Sequence, residues 1–267
     1  MEVKYYLNSG VQDFWFMLRR FPLAWLLAWQ DIRLRYRRSK LGPFWITIST
    51  GVMIAMIGMI FGQALNLPKE IYLPYVATGM IFWGFISSAI NEGCTAFNSS
   101  AGMIRQIELP MSLYPLKMIL RNIIVLGHNF VLLPIVLLVA GKGISWNLLL
   151  IVPGFILLLL NIFWMTLLLG VLCTRFRDMP PIVSSIVQVF FYLTPIIWMP
   201  DAVNARVSKF IVETNPFYHL LQLVRAPLLG FCPTSNSWIL ALILLFFGGF
   251  FSAFFFGKFK DRIAYWV

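Results

Sequence analysis

Few side chains in this 267-residue sequence have the type and spacing that catalysis needs. His128 and His219 each stand without a carboxylate or cysteine at a useful interval. A nucleophile–base pair or ligand set is therefore not expected at either, and both read as packed or interfacial histidines. Cys94, Cys173 and Cys232 are odd in number, far apart and free of any C-x-x-C pattern, which implies neither a disulfide framework nor a zinc site. The H-E-x-x-H, G-x-S-x-G and G-x-G-x-x-G motifs are absent. Gly141-Lys142-Gly143 lacks both the upstream glycine and the Ser/Thr of a phosphate-cradling loop. Glu92, Glu108 and Asp178 are acids that no motif groups. No catalytic residue, metal ligand or cofactor of its own is expected in this chain.

Aromatic rings are the more abundant chemistry, at 16% of residues. They cluster as Phe82, Trp83 and Phe85, then Phe190, Phe191 and Tyr192, with Trp198, Phe217 and Tyr218 beyond. Trp and Tyr at the ends of apolar runs are read first as a belt at the membrane interface. Such rings also suit a sugar path, because they pack on the C–H faces of pyranoses while indole and phenol tips hydrogen-bond hydroxyls. Position in sequence leaves both readings open.

The elements that carry these residues follow from composition. With 60% hydrophobic and 12% charged residues and a mean hydropathy of +0.82, the chain lies outside the range of soluble domains. Disorder, a disulfide scaffold and nucleic-acid binding are excluded, the last because the net charge of +11 follows the ends of apolar runs. Long uncharged runs predict six transmembrane helices near 44–65, 72–92, 118–140, 148–173, 182–199 and 238–257. They lack the alternation of barrel strands, so the expected fold class is an all-α integral membrane protein. Early Glu2, Asp13, Arg19 and Arg20 argue against a cleavable signal peptide. Placing both termini in the cytoplasm puts sixteen of the 21 Lys and Arg there and leaves Lys69, Lys142, Arg206, Lys209 and Arg225 outside, as the positive-inside rule demands.

Three segments are not simple spans. Residues 1–43 form an N-terminal interface segment. There Trp25, Trp29, Ile32 and Tyr36 recur at helical spacing, Arg33 and Arg37 share another face, and Asp31 can pair with Arg35. An amphipathic helix flat on the inner leaflet is expected, either as an anchor or as a docking element. A cytoplasmic segment at 98–112 holds Met103, Ile104, Ile107 and Leu109 as the apolar face of a short helix ended by Pro110. The outer stretch 200–237 is too apolar for a free loop and too short to span, so a re-entrant or interfacial helical hairpin is expected, broken at Asn215-Pro216 and ended at Pro227 and Gly230. Residues 44–257 thus make a six-helix transmembrane domain, and 258–267 a cytoplasmic tail. Glu92 and Arg121 fall near inner span ends, where they can reach the interface or each other.

The ordered motifs resemble the membrane subunits of ABC transporters that export polysaccharides such as O-antigen, capsule and teichoic acid. They run from Gln30-Asp31-Ile32-Arg33-Leu34-Arg35-Tyr36-Arg37-Arg38-Ser39-Lys40-Leu41-Gly42-Pro43-Phe44-Trp45 through Gly79-Met80-Ile81-Phe82-Trp83, Asn91-Glu92 and Leu109-Pro110. Arg177-Asp178, Leu193-Thr194-Pro195-Ile196-Ile197-Trp198, Asn215-Pro216, Arg225 and Leu229-Gly230 complete the order. The resemblance implies a multi-pass permease of the cytoplasmic (inner) membrane. Its partners would be a second copy of itself, two copies of a cytosolic ATPase subunit that binds ATP and Mg, membrane lipid and a lipid-linked polysaccharide, with no nucleic acid.

It also implies roles. Met103, Ile104, Arg105, Gln106, Ile107, Glu108, Leu109 and Pro110 would couple to the ATPase, with Trp25, Trp29, Arg33 and Arg37 on the flanking interface helix. Asn215, Pro216, Phe217, Tyr218 and Arg225 would belong to an outer gate, and Phe82, Trp83, Phe85, Phe190, Phe191, Tyr192 and Trp198 to a sugar conduit. Alternatives are an ABC permease for a drug or lipid, a stand-alone lipid-linked sugar flippase or secondary carrier, and a membrane acyl- or glycosyltransferase. The first predicts a smooth aliphatic cavity, the second activity without an ATPase, and the third paired acids or histidines at a membrane surface.

Overall fold

The computed structural model describes residues 2–37, 39, 41–42, 44–64, 66–141, 143, 145–200 and 205–267, with 2–4 and 205–209 described by backbone alone. Arg38, Lys40, Pro43 and Lys142 of the sequence reading, and positions 201–204 of the outer stretch, lie outside the described residues. Every regular element among the described residues is helical.

Two helices precede the apolar spans. α1 (Glu2–Arg19) lies along the last helix, α12 (Ser235–Trp266). Their backbones touch, because a Cβ on Gly257 would fall 1.9 Å from the Tyr6 carbonyl oxygen and one on Gly10 would fall 2.7 Å from that of Ala253. Small residues allow this approach where lipid offers no hydrophobic drive for helices to associate. α2 (Phe21–Arg35) starts with Pro22 in its first turn, where the missing N–H goes unneeded. It packs on α6 (Leu113–Phe130) through Ala24, Ala28 and Ile32. This corrects the expected grouping of Ile32 with Trp25 and Trp29: the two alanines allow close approach to α6 and carry Ile32 inward, while both indoles stay exposed.

Among the described residues five helices are long and apolar enough to cross a membrane: α3 (Phe44–Ala64), α4 (Lys69–Cys94), α6 with its continuation α7 (Leu132–Val139), α8 (Ile151–Arg175) with the 3-10 turn before it, and α12. The helix breaks at Val131, ahead of Pro134, which has no N–H for the ladder. The expected span at 182–199 is a shorter helix, α9 (Met179–Leu193), of 15 residues. At 1.5 Å per residue it reaches only about 22 Å, less than the ~30 Å of a hydrocarbon core. The chain leaves the helix at Thr194 (φ −83°, ψ 131°), because Pro195 disfavours a helical residue before it.

α4 is the central helix, in contact with α3, α6, α7, α8, α9 and α11 (Pro216–Leu228). α5 (Ala101–Gln106) caps one end of the bundle, near the ends of α4, α8 and α12, and α10 (Ala205–Thr214) leads into α11 near the other. α5 stops four residues before Pro110, with Ile107 extended (φ −134°, ψ 127°). Residues 258–267, expected as a tail, continue α12 as helix to Trp266, with Ile263 buried against Ile104 and Tyr114.

Candidate translocation and coupling sites

The non-helical stretch after α9 leaves backbone carbonyls unpaired inside the bundle, and side chains of α4 and α11 meet them. Tyr72 donates its hydroxyl to the Ile197 carbonyl at 2.5 Å, and Tyr75 donates to that of Pro195 at 2.9 Å. Arg225, with 0% exposure, donates through Nη1 to the same Pro195 oxygen at 2.5 Å and through Nε to Gln222 Oε1 at 3.1 Å. Its guanidinium lies 4.2 Å above the Tyr75 ring and 5.9 Å from Tyr218, while its Nη2 is buried without a hydrogen bond. Asn215 accepts from the N–H groups of Phe217 and Tyr218, capping α11, and donates to the Thr194 hydroxyl at 2.9 Å. Irregular backbone inside the bundle is thus satisfied by side chains of α4 and α11.

An aromatic cluster adjoins this junction. Trp83 lies 5.7 Å from Phe217 and 6.1 Å from Phe191, and Phe190 lies 4.8 Å from Phe217. Phe82 and Phe85 turn instead toward Phe155; they and Trp83 are all buried in the core, while Phe190, Phe191 and Phe217 are half-buried. Tyr192 is 64% exposed, and its carbonyl accepts the Trp198 indole N–H at 3.0 Å. α9 buries Val183 and Val187 and exposes Ser184, Gln188 and Tyr192, at intervals of four, as a polar stripe flanked by the exposed apolar Ile182, Ile186 and Val189. The exposed face of α12 is by contrast built from Ile239, Leu242, Ile243, Phe246, Phe247, Phe250 and Phe251.

At the α5 end, charges join three helices. Glu92 at the end of α4 accepts from Arg121 Nη2 at 2.6 Å, Asn122 at 2.5 Å and Arg35 of α2 at 3.2 Å. Arg121 also approaches Asp31 at 3.5 Å, and buried Lys117 reaches the same carboxylate at 3.1 Å. Asp31 therefore pairs across to α6 rather than with Arg35, because docking of α2 brings Lys117, which is shut away from water, to the carboxylate. Asp13 of α1 accepts from the Met111 and Ser112 N–H groups at 3.0 and 2.9 Å and from the Ser112 hydroxyl at 2.5 Å. It holds the turn that leads into α6 from 98 residues away.

In the stretch 103–110, Ile104 is buried, and Arg105, Gln106, Ile107 and Glu108 are exposed, with Met103, Leu109 and Pro110 between. Arg105 donates to the Val267 carbonyl. Ile107 leaves the expected apolar face because its extended backbone aims it outward. Arg33 and Arg37 are exposed on the α2 side, with Trp25 and Trp29. His219 is buried against the Ser237 hydroxyl and the Glu213 carbonyl, and His128 bonds the Ile124 carbonyl of its own helix. No group of three or more metal-ligating side chains occurs among the described residues.

The family model described as ABC-2 type transporter matches residues 22–229. The chain belongs to the ABC-2 membrane family. It is a transport protein, a multi-pass permease of the cytoplasmic membrane, and its helical build suits that membrane rather than one spanned by barrels. Its relatives include two proteins named O-antigen export system permease protein RfbA. The one from Klebsiella pneumoniae is 26% identical and covers 75% of this chain and 78% of the relative. The one from Myxococcus xanthus is 22% identical and covers 73% of this chain and 75% of the relative. The ABC-2 match takes in α2, the Glu92 cluster, α5, the aromatic junction and α11, and stops before α12.

Sequence reasoning missed several residues that build these sites. Tyr72, Tyr75 and Gln222 carried no local signal, since their partners lie far along the chain or on another turn of helix. Asp13 served only as an early charge. Ser112 after Pro110 has the type of a helix start, and that was the one signal pointing to the turn there.

Proposed function

We propose that this permease forms, as a homodimer, the membrane channel of an ATP-driven exporter for a lipid-linked polysaccharide such as O-antigen or capsule. The observation that carries it is the exposed stripe of Ser184, Gln188 and Tyr192 on α9, beside the half-buried rings of Phe191 and Phe217 that pack on the buried Trp83. Hydroxyl, amide and phenol groups at hydrocarbon depth need a protein or watery neighbour rather than lipid. A second copy facing α9 encloses them, and aromatic faces next to hydroxyl donors bind sugars weakly enough for a long glycan to advance. The names of the relatives support the same cargo class.

In this reading six segments cross the membrane, with α9 and Thr194–Pro200 together as the fifth, and both termini are cytoplasmic. The α5 end then faces the cytosol. Two copies of a separate ATPase bind ATP and Mg there, and the exposed tip Arg105–Glu108 seats in each. Closure of the ATPases moves α5, and the Glu92 cluster carries α2, α4 and α6 with it. α10 and α11 form the outer hairpin, and Arg225 and Asn215 hold the exit segment of α9. The chain itself performs no catalysis.

The test is gentle purification of the tagged chain from its native membrane, with identification of co-purifying chains, ATP hydrolysis, and surface glycan after deletion of the gene. A stoichiometric ATPase with a G-x-x-x-x-G-K-S/T loop and loss of surface glycan are expected. Recovery of the chain alone, without hydrolysis and with glycan intact, would overturn the proposal in favour of a stand-alone carrier. An ATPase with unchanged glycan would point to drug or lipid export.

A further inference from the structure

At the α5 end a cavity of about 370 Å³ opens between α8 and α12. Arg175 and Arg262 form its polar side, and Val171, Leu172 and Phe255 its apolar side. The Arg175 guanidinium lies 5.2 Å from the centre of the Trp266 ring, and that of Arg262 lies 6.0 Å from the Phe259 ring. These contacts orient the two cations without neutralising them. Among the described residues neither forms an ion pair, and the nearby carboxylates Asp178 and Asp261 are exposed and form none. Two exposed planar forks of donors, neither ion-paired among the described residues, therefore border one cavity, an arrangement that matches phosphate oxygens.

Depth narrows the ligand further. Val171 and Leu172 belong to the last turn of spanning helix α8, so the cavity straddles the boundary between hydrocarbon and head groups. A ladder of rings, Phe251–Phe255 at 6.1 Å, Phe255–Phe259 at 4.7 Å and Phe259–Trp266 at 5.9 Å, leads into it. Phe251 stands on the exposed apolar face of α12, so the cavity is continuous with the surface that meets acyl chains. An acidic protein segment would match the arginines but leave this apolar approach unused.

We propose that this cavity binds a phosphate-bearing anionic membrane lipid, with its head group between Arg175 and Arg262 and its chain along Phe255 and Phe251. The site is separate from the conduit and does not depend on the cargo. The probe is phosphatidylglycerol added to the delipidated full-length protein, purified with whatever chains accompany it, and retention is counted by native mass spectrometry. Wild type is expected to hold one tightly bound lipid per chain. The Arg175→Gln/Arg262→Gln pair should weaken retention about tenfold or more, as expected when both charge-assisted contacts are lost. Lys69→Gln, at the opposite end of α4, should leave retention intact.

If the glutamine pair fails to fold, Arg175→Lys/Arg262→Lys should keep the lipid and Trp266→Ala should loosen it. Unchanged retention in the glutamine pair, or in Trp266→Ala when the pair is unfolded, would overturn the proposal. Displacement of the lipid by millimolar inorganic phosphate would reassign the site to a free anion. Loss of an accompanying protein with lipid retained would reassign it to a protein contact.

Discussion

Replacing Arg225 by methionine removes a buried charge while keeping most of the side-chain volume, and so separates stability from positioning. The substitution deletes the charge-assisted bonds to the Pro195 carbonyl and to Gln222 Oε1, about 1.5–3 kcal/mol each. It also deletes the stacking over Tyr75, about 2 kcal/mol for a desolvated pair. Against these stands release of a guanidinium whose Nη2 is buried without a partner, about 1–3 kcal/mol in the opposite sense. Pro195 keeps Tyr75 as a donor, so no carbonyl is orphaned. The net loss is about 4 kcal/mol, whereas Arg225→Ala adds a cavity and costs roughly 2 kcal/mol more. Thermal unfolding in detergent should show Met destabilised and Ala more so. Surface glycan in a host lacking its own copy of the gene should fall sharply for both, because the exit segment loses its hold on α11. A folded Arg225→Met protein that exports as wild type does would refute this reasoning.

Other perturbations test the remaining contacts. Glu92→Gln replaces the carboxylate shared by Arg35, Arg121 and Asn122 with a neutral amide, so Arg35 loses its counter-charge and Arg121 keeps only Asp31; a cost of about 1–3 kcal/mol is expected, and protease cleavage between α2 and α3 should quicken. Gly154→Val adds a side chain at a position where even a Cβ would fall 2.4 Å from the Leu223 carbonyl oxygen, so α8 and α11 must separate; a loss of about 1–3 kcal/mol in detergent melts and reduced export are expected. Asp13→Ala releases the turn that leads into α6 and should cost about 1–2 kcal/mol, with faster hydrogen exchange at Met111 and Ser112. Ile107→Asp, on the exposed tip beyond α5, should leave the melting temperature unchanged and abolish recovery of the ATPase with the permease.

Hydropathy runs of about 20 residues are properties of neighbouring positions, so the membrane class, the helical type and the location of five long spans were legible in the linear sequence. So was the family, through the order of short motifs from Gln30 to Gly230. The length of α9 was not, because an apolar run continues past Thr194 while the helix ends where Pro195 forbids it. Nor were the pairings that build the sites. Arg225 was legible as a cation, but its place on the Pro195 carbonyl and the Tyr75 ring depends on α4, α9 and α11 meeting. Asp31 had Arg35 within reach on its own helix and took Lys117 and Arg121 instead, because packing of α2 on α6 shut Lys117 away from water beside it. Which aromatic rings stay open and which are sealed, as Tyr192 and Phe82 are, was likewise decided by tertiary packing, since helical periodicity names a face without naming what covers it.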